Sequence, residues 1–428
     1  MRILSLTPSM PARANTPRAT ASRPGGSEPP DRSAGTMELA HRAHTMAPPV
    51  QVKSLPWEHS VEHLGDGVLT GHNAESTCLL STEGKSFCLP RKDNHFFYAA
   101  LRTPDRFYAV DATRRSLMAF DSELHPLWDA PSGVADGNLH PPVETEKGDV
   151  FFSGASFAAV VGRDGSERWS YRSPHLSAPV GHCSAHADGT GYLGGADWLE
   201  AIREGKPAWS CERRGLVFSR LCPDGRGGLV AAAFTHTPPG GRILAFDADG
   251  NLRWERQTRE YNRALQPAVG PRGEVYAVDQ GGNLYAFEPD GSLRWERRTQ
   301  DQHTPDDLFT PTRSGDQYPT SPVVDGDGNV FVGYGRSLLC FDPEGKLRGK
   351  LVIAAAEVRP LEPFQVPQLD SRGILALHDG GKQLFSIDTH ALLNLKSQVE
   401  KSLGKPVPAI EVESDRVRIG GIVLPVRR

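Results

Sequence analysis

Short runs of β-branched and aromatic residues, each entered through a polar or glycine turn, recur along the chain at a near-constant interval. They are Val68-Leu69, Phe107-Tyr108-Ala109-Val110, Val150-Phe151-Phe152, Gly191-Tyr192-Leu193, Leu229-Val230-Ala231, Val275-Tyr276-Ala277-Val278, Val330-Phe331-Val332 and Ile374-Leu375-Ala376-Leu377. The turns before them include Asp66-Gly67, Pro104-Asp105, Asp188-Gly189, Asp224-Gly225, Arg272-Gly273 and Asp327-Gly328. Such runs predict hairpin-linked strands. A second pattern follows each run. Its clearest copies are Leu244-Ala245-Phe246-Asp247-Ala248-Asp249-Gly250-Asn251-Leu252-Arg253-Trp254 and Tyr285-Ala286-Phe287-Glu288-Pro289-Asp290-Gly291-Ser292-Leu293-Arg294-Trp295: a strand, a turn, then a strand entered through Trp. Weaker copies place the terminal slots at Cys88, Trp128, Trp169, Trp209, Trp254, Trp295, Gly349 and Leu395, and five of the seven Trp in the chain fall on them.

Each unit of roughly 41 residues therefore holds four short antiparallel strands. One such sheet cannot bury both faces and has two free edges. Stacking the sheets around an axis solves both problems, which predicts an all-β, single β-propeller. A β-solenoid has a shorter repeat, and tandem sandwiches need about 100 residues per unit. Eight copies predict eight four-stranded blades, with seven as the alternative if a terminal copy is not a blade. The repeated Trp is expected to be buried between blades. Repeats ending Ala-Phe-Asp-x-x-Gly-x-x-x-Trp resemble those of the pyrroloquinoline-quinone-type propellers, the quinoprotein alcohol-dehydrogenase-like superfamily. The resemblance covers about 61–395.

Composition sets the limits around this array. Gly 44 and Pro 35 suit tight turns rather than long helices. No apolar run is long enough for a membrane helix. Residues 1–50 carry six Arg and three acids without periodicity and are expected to be disordered. Ile3-Leu4-Ser5-Leu6 is too short for a signal peptide core, and Met37 and Met46 are further candidate starts. Domain limits are expected at 1–50, 51–395 for the propeller, and 396–428 for an extension that packs on or closes the ring. That extension reads as a helix across Leu392 to Leu403 and a hairpin of Ile410-Glu411-Val412 with Val417-Arg418-Ile419. The formal net charge is −4; both ends are basic, which leaves 51–395 at −10. An acidic body disfavours nucleic acid. The six Cys are scattered, with no CxxC or adjacent pair, so they are expected to be unpaired buried hydrophobes in a reducing compartment, the cytoplasm.

Candidate chemistry is sparse. No GxSxG, HExxH or Walker loop occurs. The resemblance implies a quinone held against a disulfide of adjacent cysteines, with a Ca²⁺ ion; this chain has no adjacent Cys pair, so no cofactor is expected. Asp325-Gly326-Asp327-Gly328-Asn329 begins like a Ca²⁺ loop but lacks its later Gly and Glu, and reads as a turn. His182, Cys183 and His186 lack a supporting ligand for Zn²⁺. Trp57 precedes the first repeat. Trp198 is expected in a turn, either buried or presented as a contact.

Loop length selects a working face. Blade-to-blade links and second-to-third-strand turns emerge on one side of such a disc. The two insertions, after Trp295 and at Thr235 to Gly241, both fall there. The candidate binding face is His236, Tyr261, Arg263, His303, Asp306, Asp307, Tyr318, Tyr334 and Asp379. Turns carrying Asp66, Asp105, Asp188, Asp224 and Asp327 are expected on the opposite side. The expected function is a non-catalytic scaffold binding another protein. A channel-centred metal-dependent lyase or hydrolase, and a small-molecule or glycan sensor, are the alternatives. The resemblance offers two templates: a propeller lipoprotein of outer-membrane assembly, although residues 1–77 contain no Cys to lipidate, and a propeller partner of MoxR-type ATPases. Deleting 299–313 is expected to weaken partner capture and spare the melting temperature.

Overall fold

The computed structural model describes residues 50–54, 61–65, 68–72, 75–81, 85–93, 95–131, 140–154, 157–175, 184–262, 265–299, 319–334, 337–353, 368–369, 374–378, 383–413 and 415–426. Its strands pair in chain order, as hairpins. Val61–Gly65, Val68–His72, Ser76–Ser81 and Ser86–Pro90 make one sheet, and Phe97–Arg102, Arg106–Asp111, Ser116–Asp121 and Pro126–Pro131 the next. Val143–Glu144 to Glu167–Arg172 and Ala268–Val269 to Leu293–Arg298 repeat the arrangement. Apolar residues from facing sheets make the core between them. Tyr108, Val110 and Leu117 pack with Phe152, Phe157 and Ala159, for example.

Two departures join units that the repeat alone would separate. Lys206–Pro223 is one continuous strand; its first half pairs with Ala196–Arg203 and its second with Leu229–His236. Gly215, at φ +81°, lies between the halves in a conformation that other residues rarely adopt. The hairpin that follows is also lengthened. Leu229–His236 and Pro239–Phe246 stay paired out to His236 and Pro239, so the four extra residues extend a rigid hairpin instead of loosening a loop.

In four of its five copies the repeated Trp stands opposite Ala on the neighbouring strand: Ala119 for Trp128, Ala201 for Trp209, Ala245 for Trp254 and Ala286 for Trp295; Trp169 stands opposite Val160. Its ring lies on the turn of the next unit. The indole N–H of Trp128, Trp209, Trp254 and Trp295 donates to the carbonyls of Arg163, Ala248, Pro289 and Pro343, at 2.8–3.1 Å. A Cβ built on Gly291 would lie 2.4 Å from Trp254 Cγ, and one on Gly345 2.6 Å from the Trp295 ring. Both glycines also have positive φ. Trp254 and Trp295 are buried, whereas Trp128, Trp169 and Trp209 are only half-buried, less than expected.

The slots without Trp are filled in other ways. Cys88 pairs in register with Cys78 and forms a disulfide with it. This corrects the reading of all six cysteines as unpaired. Cys211, Cys222 and Cys340 are free thiols, and Cys183 lies outside the described residues. Peptide mapping of the unreduced protein is expected to recover Cys78 linked to Cys88; alkylation of both without reductant would contradict the pairing. Gly349 is covered by the helix Thr389–Leu403, whose Leu393 Cδ2 would sit 3.0 Å from an added Cβ.

The last slot is corrected more fully. Asp388 caps that helix, accepting from the Ala391 N–H at 2.8 Å, so Leu395 is helical and the limit expected at 395/396 falls inside the helix. The fourth strand beside Gln383–Asp388 comes instead from Val50–Ser54, with Val50 opposite Ile387. Val50 thus belongs to the folded part; residues 1–49 and Trp57 lie outside the described residues. Ile410–Val412 adds in parallel to Leu347–Ile353 and carries Arg416–Ile419 and Ile422–Pro425 outward. Leu392, Leu393 and Val399 bury with Leu351, Ile410 and Val417. No described helix is long and apolar enough to cross a membrane.

Candidate functional site

The two ends of these sheets differ in kind. At one end every described turn is short, as at 103–105, 145–149, 224–228, 270–274 and 325–329, and polar groups there are bonded within the turn or to a neighbouring unit. Asp224 Oδ1 accepts from the N–H groups of Arg226 and Gly228, and its Oδ2 from Arg253. Asp188 accepts from Thr190 N–H. Asp325 accepts from the N–H groups of Asp327 and Asn329 and from the Asn329 amide, which is turn chemistry. Asp105 pairs with Arg163, Asp327 faces His390, and Asp66 lies outside the described residues. The Asn251 amide and the Asn251 and Asp249 N–H groups hold the Asp247 carboxyl below its ordinary range.

At the other end the links run from none, within Lys206–Pro223, to the 299–322 segment. Here the extended hairpin places Phe234 edge-on between His236, at 5.2 Å, and Tyr261, at 6.0 Å. His236 is exposed and Tyr261 half-buried. The link behind them is fixed. Asn262 Nδ2 donates to the Arg242 carbonyl at 2.7 Å, and Gln280 N–H to the Tyr261 carbonyl at 2.7 Å. Asp279, fully buried, accepts from Glu260 N–H, the Asn283 amide and the Tyr285 hydroxyl. Burial, with the Asp279 charge beside it, pushes the Tyr285 hydroxyl up.

Of the nine expected face residues, His236 and Tyr261 come together. Tyr334 is corrected: it is 5% exposed, opposite Ser337 at the end of its strand. Arg263, His303, Asp306, Asp307, Tyr318 and Asp379 lie outside the described residues. Thr299 is also corrected. It is buried, and both its N–H and its hydroxyl donate to the Gly282 carbonyl, so a deletion that spares the fold has to start at residue 300.

A second cluster on the same side was not legible from the repeat. Glu200, 3% exposed, accepts from the Ser173 hydroxyl at 2.9 Å and the Tyr171 hydroxyl at 3.3 Å. His175 Nε2 stands 3.1 Å from its other oxygen, and the His175 ring stacks on Trp198 at 4.7 Å. Burial, then the Glu200 charge, push the Tyr171 hydroxyl up to about 12. Trp198 is buried and belongs to the strand Ala196–Arg203, not to a turn. Its partners come from two consecutive units, so no local motif announces them. His186 Nε2 is 2.7 Å from the Gly228 carbonyl; His182 and Cys183 lie outside the described residues. No group of three or more His, Cys, Asp or Glu placed to hold a metal occurs among the described residues.

Comparison with known proteins follows the same repeat. The family model described as outer membrane protein assembly factor BamB matches residues 153–354. BamB from Moraxella catarrhalis superposes with a TM-score of 0.55 at 16% identity, over 80% of this chain and 100% of that one. The Dos1 propeller gives 0.55 at 8% identity, over 80% and 96%. A streptogramin B lyase gives 0.51 at 10% identity, over 79% and 98%. Among curated proteins no sequence matches the chain. At these identities the likeness is one of fold.

Proposed function

Because the chain belongs to the pyrroloquinoline-quinone-type β-propeller repeat superfamily, we propose that it is a non-catalytic propeller that binds a protein partner through the end bearing its long and variable links. The observation that carries this reading is the asymmetry between the ends. Short turns at one end have their polar groups bonded within the turn or to the neighbouring unit, whereas the other end presents links of very different length. Rigid strands carrying variable loops are a common binding scaffold. The extended hairpin and its anchored link offer His236 and Tyr261 there, an aromatic and polar pair suited to an interface. The BamB likeness, to a protein described as an assembly factor, supports a scaffold role.

The ring in this reading has eight four-stranded blades. Each seven-stranded sheet contains a full blade and more: Ser184–Ala185 to Leu252–Gln257 counts as two blades sharing Lys206–Pro223, and the last blade takes its outer strand from Val50–Ser54. Residues 389–428 then form the appended unit. The Cys78–Cys88 pair favours an oxidising compartment over the cytoplasm.

Native capture with full-length protein tests the face. Deleting 300–313, or replacing His236 and Tyr261 by Ala, is expected to reduce recovery of a stoichiometric partner and leave the melting temperature nearly unchanged. Replacing Asp249 by Lys at the opposite end is expected to leave recovery intact. Loss of the partner only in the Asp249 variant would overturn the reading.

A further inference from the structure

The first strands of successive units approach one another in series around the centre. Ser184–Ala185 meets Lys206–Pro223, which meets Ala268–Val269, which meets Val323–Val324. Ser184–Ala185, Ala268–Val269 and Val323–Val324 are each hydrogen-bonded on one flank only, and the second half of Lys206–Pro223 pairs mainly with Leu229–His236. Arg220 lies on this lining. Its neighbours Leu216, Phe218 and Leu221 enter the apolar core, and a bulge at Ser219 turns Arg220 off that face. Its electrostatic neighbour is Tyr98, on the first strand of the Phe97–Pro131 sheet. The sheet of Val143–Arg172 and the strands Ser184–Arg203 intervene in the ring. Tyr98 is exposed and Arg220 half-buried, each on a strand that borders the centre. Gln266 donates to the Leu221 carbonyl beside Arg220 and ties this strand to the next.

Arg220 has no counter-charge among the described residues. Its Nε is enclosed with no hydrogen-bond partner among the described residues. Every other buried charge described above is paired or bonded, as Glu200 and Asp279 are. Arg220 is half-buried, and an enclosed donor such as its Nε is costly to leave unpaired. A guanidinium presents parallel N–H donors that match a carboxylate or phosphate, and low dielectric around it strengthens the match.

We propose that Arg220 and Tyr98 form an oxyanion-binding site in the central channel, taking a carboxylate or phosphate group through the Arg220 fork with the Tyr98 hydroxyl as a further donor. The site is separate from the partner-binding end, and either can fail without the other. Burial, which disfavours the charged guanidinium, is the reason that an anion arriving there is held more tightly than on the surface.

The test follows the thermal midpoint of the full-length protein while sodium phosphate, or separately sodium acetate, replaces chloride at fixed ionic strength. In the wild type one of these anions is expected to raise the midpoint saturably. Which one does so separates phosphate from carboxylate. Arg220→Met is expected to fold and to weaken that response by about tenfold or more, leaving only the general effect of phosphate on burial. Arg220→Lys retains charge without the fork, and Tyr98→Phe removes one donor; both are expected to fall between. If Arg220→Met does not fold, the graded loss in these two variants carries the test. Equal responses in wild type and the variants that fold, or no saturable response to either anion, would overturn the site.

Discussion

Trp254→Ala is expected to destabilise the protein by about 3–5 kcal/mol, read as a lower urea midpoint with an unchanged slope. The indole is 5% exposed and packs among Val230, Ile243, Ala245, Val275, Ala277 and Phe287 from two sheets. Its N–H donates to the Pro289 carbonyl across the gap, and its ring fills the space over Gly291 where no side chain fits. Alanine empties that space and leaves the carbonyl without its donor. Trp254→Phe keeps most of the ring and loses the N–H, for an expected cost of about 0.5–1.5 kcal/mol plus the lost contact area. Trp209→Ala should cost less, because that indole is only half-buried. A midpoint for Trp254→Ala equal to wild type would show that the slot is not what joins the sheets.

Leu393→Ala is expected to cost about 2–5 kcal/mol, because Leu393 is the side chain that covers the Trp-less slot at Gly349. Gly349→Trp restores the repeat pattern and should nevertheless destabilise, by about 1–3 kcal/mol, because the indole and Leu393 need the same space. The double variant is expected to be more stable than the sum of the two single effects predicts, since removing Leu393 makes room for the ring. A Gly349→Trp protein more stable than wild type would mean that the helix does not occupy the slot.

These two positions show what the sequence made legible. The Trp slots and their turns are local patterns, repeated in step, and each copy reports on the others. Completion of the last sheet is not local. Val50 pairs with Ile387, and nothing in Val50-Gln51-Val52 distinguishes it from other short apolar alternations. The helix over Gly349 hides for the same reason, because Ile387-Asp388 resembles the earlier copies until Asp388 caps a helix instead of opening a turn. The disulfide did have a signal. The register that sets Ala119 opposite Trp128 sets Cys78 opposite Cys88, and aligning the copies strand by strand pairs them. At the site, His236 and Tyr261 follow from topology, whereas the Glu200 cluster and the Arg220–Tyr98 pair draw on residues from separate units. Tyr334 is expected at the surface, but its strand runs two residues beyond Val330-Phe331-Val332 and leaves it buried at the strand end.

Hydrogen exchange on the captured complex tests the working face most directly. Partner binding is expected to protect the link-end segments 91–93, 173–175, 235–239 and 258–262, and to leave the turns at 103–105, 186–190, 224–228 and 325–329 unchanged. Protection confined to those turns, with the links exchanging as in the free protein, would contradict the account.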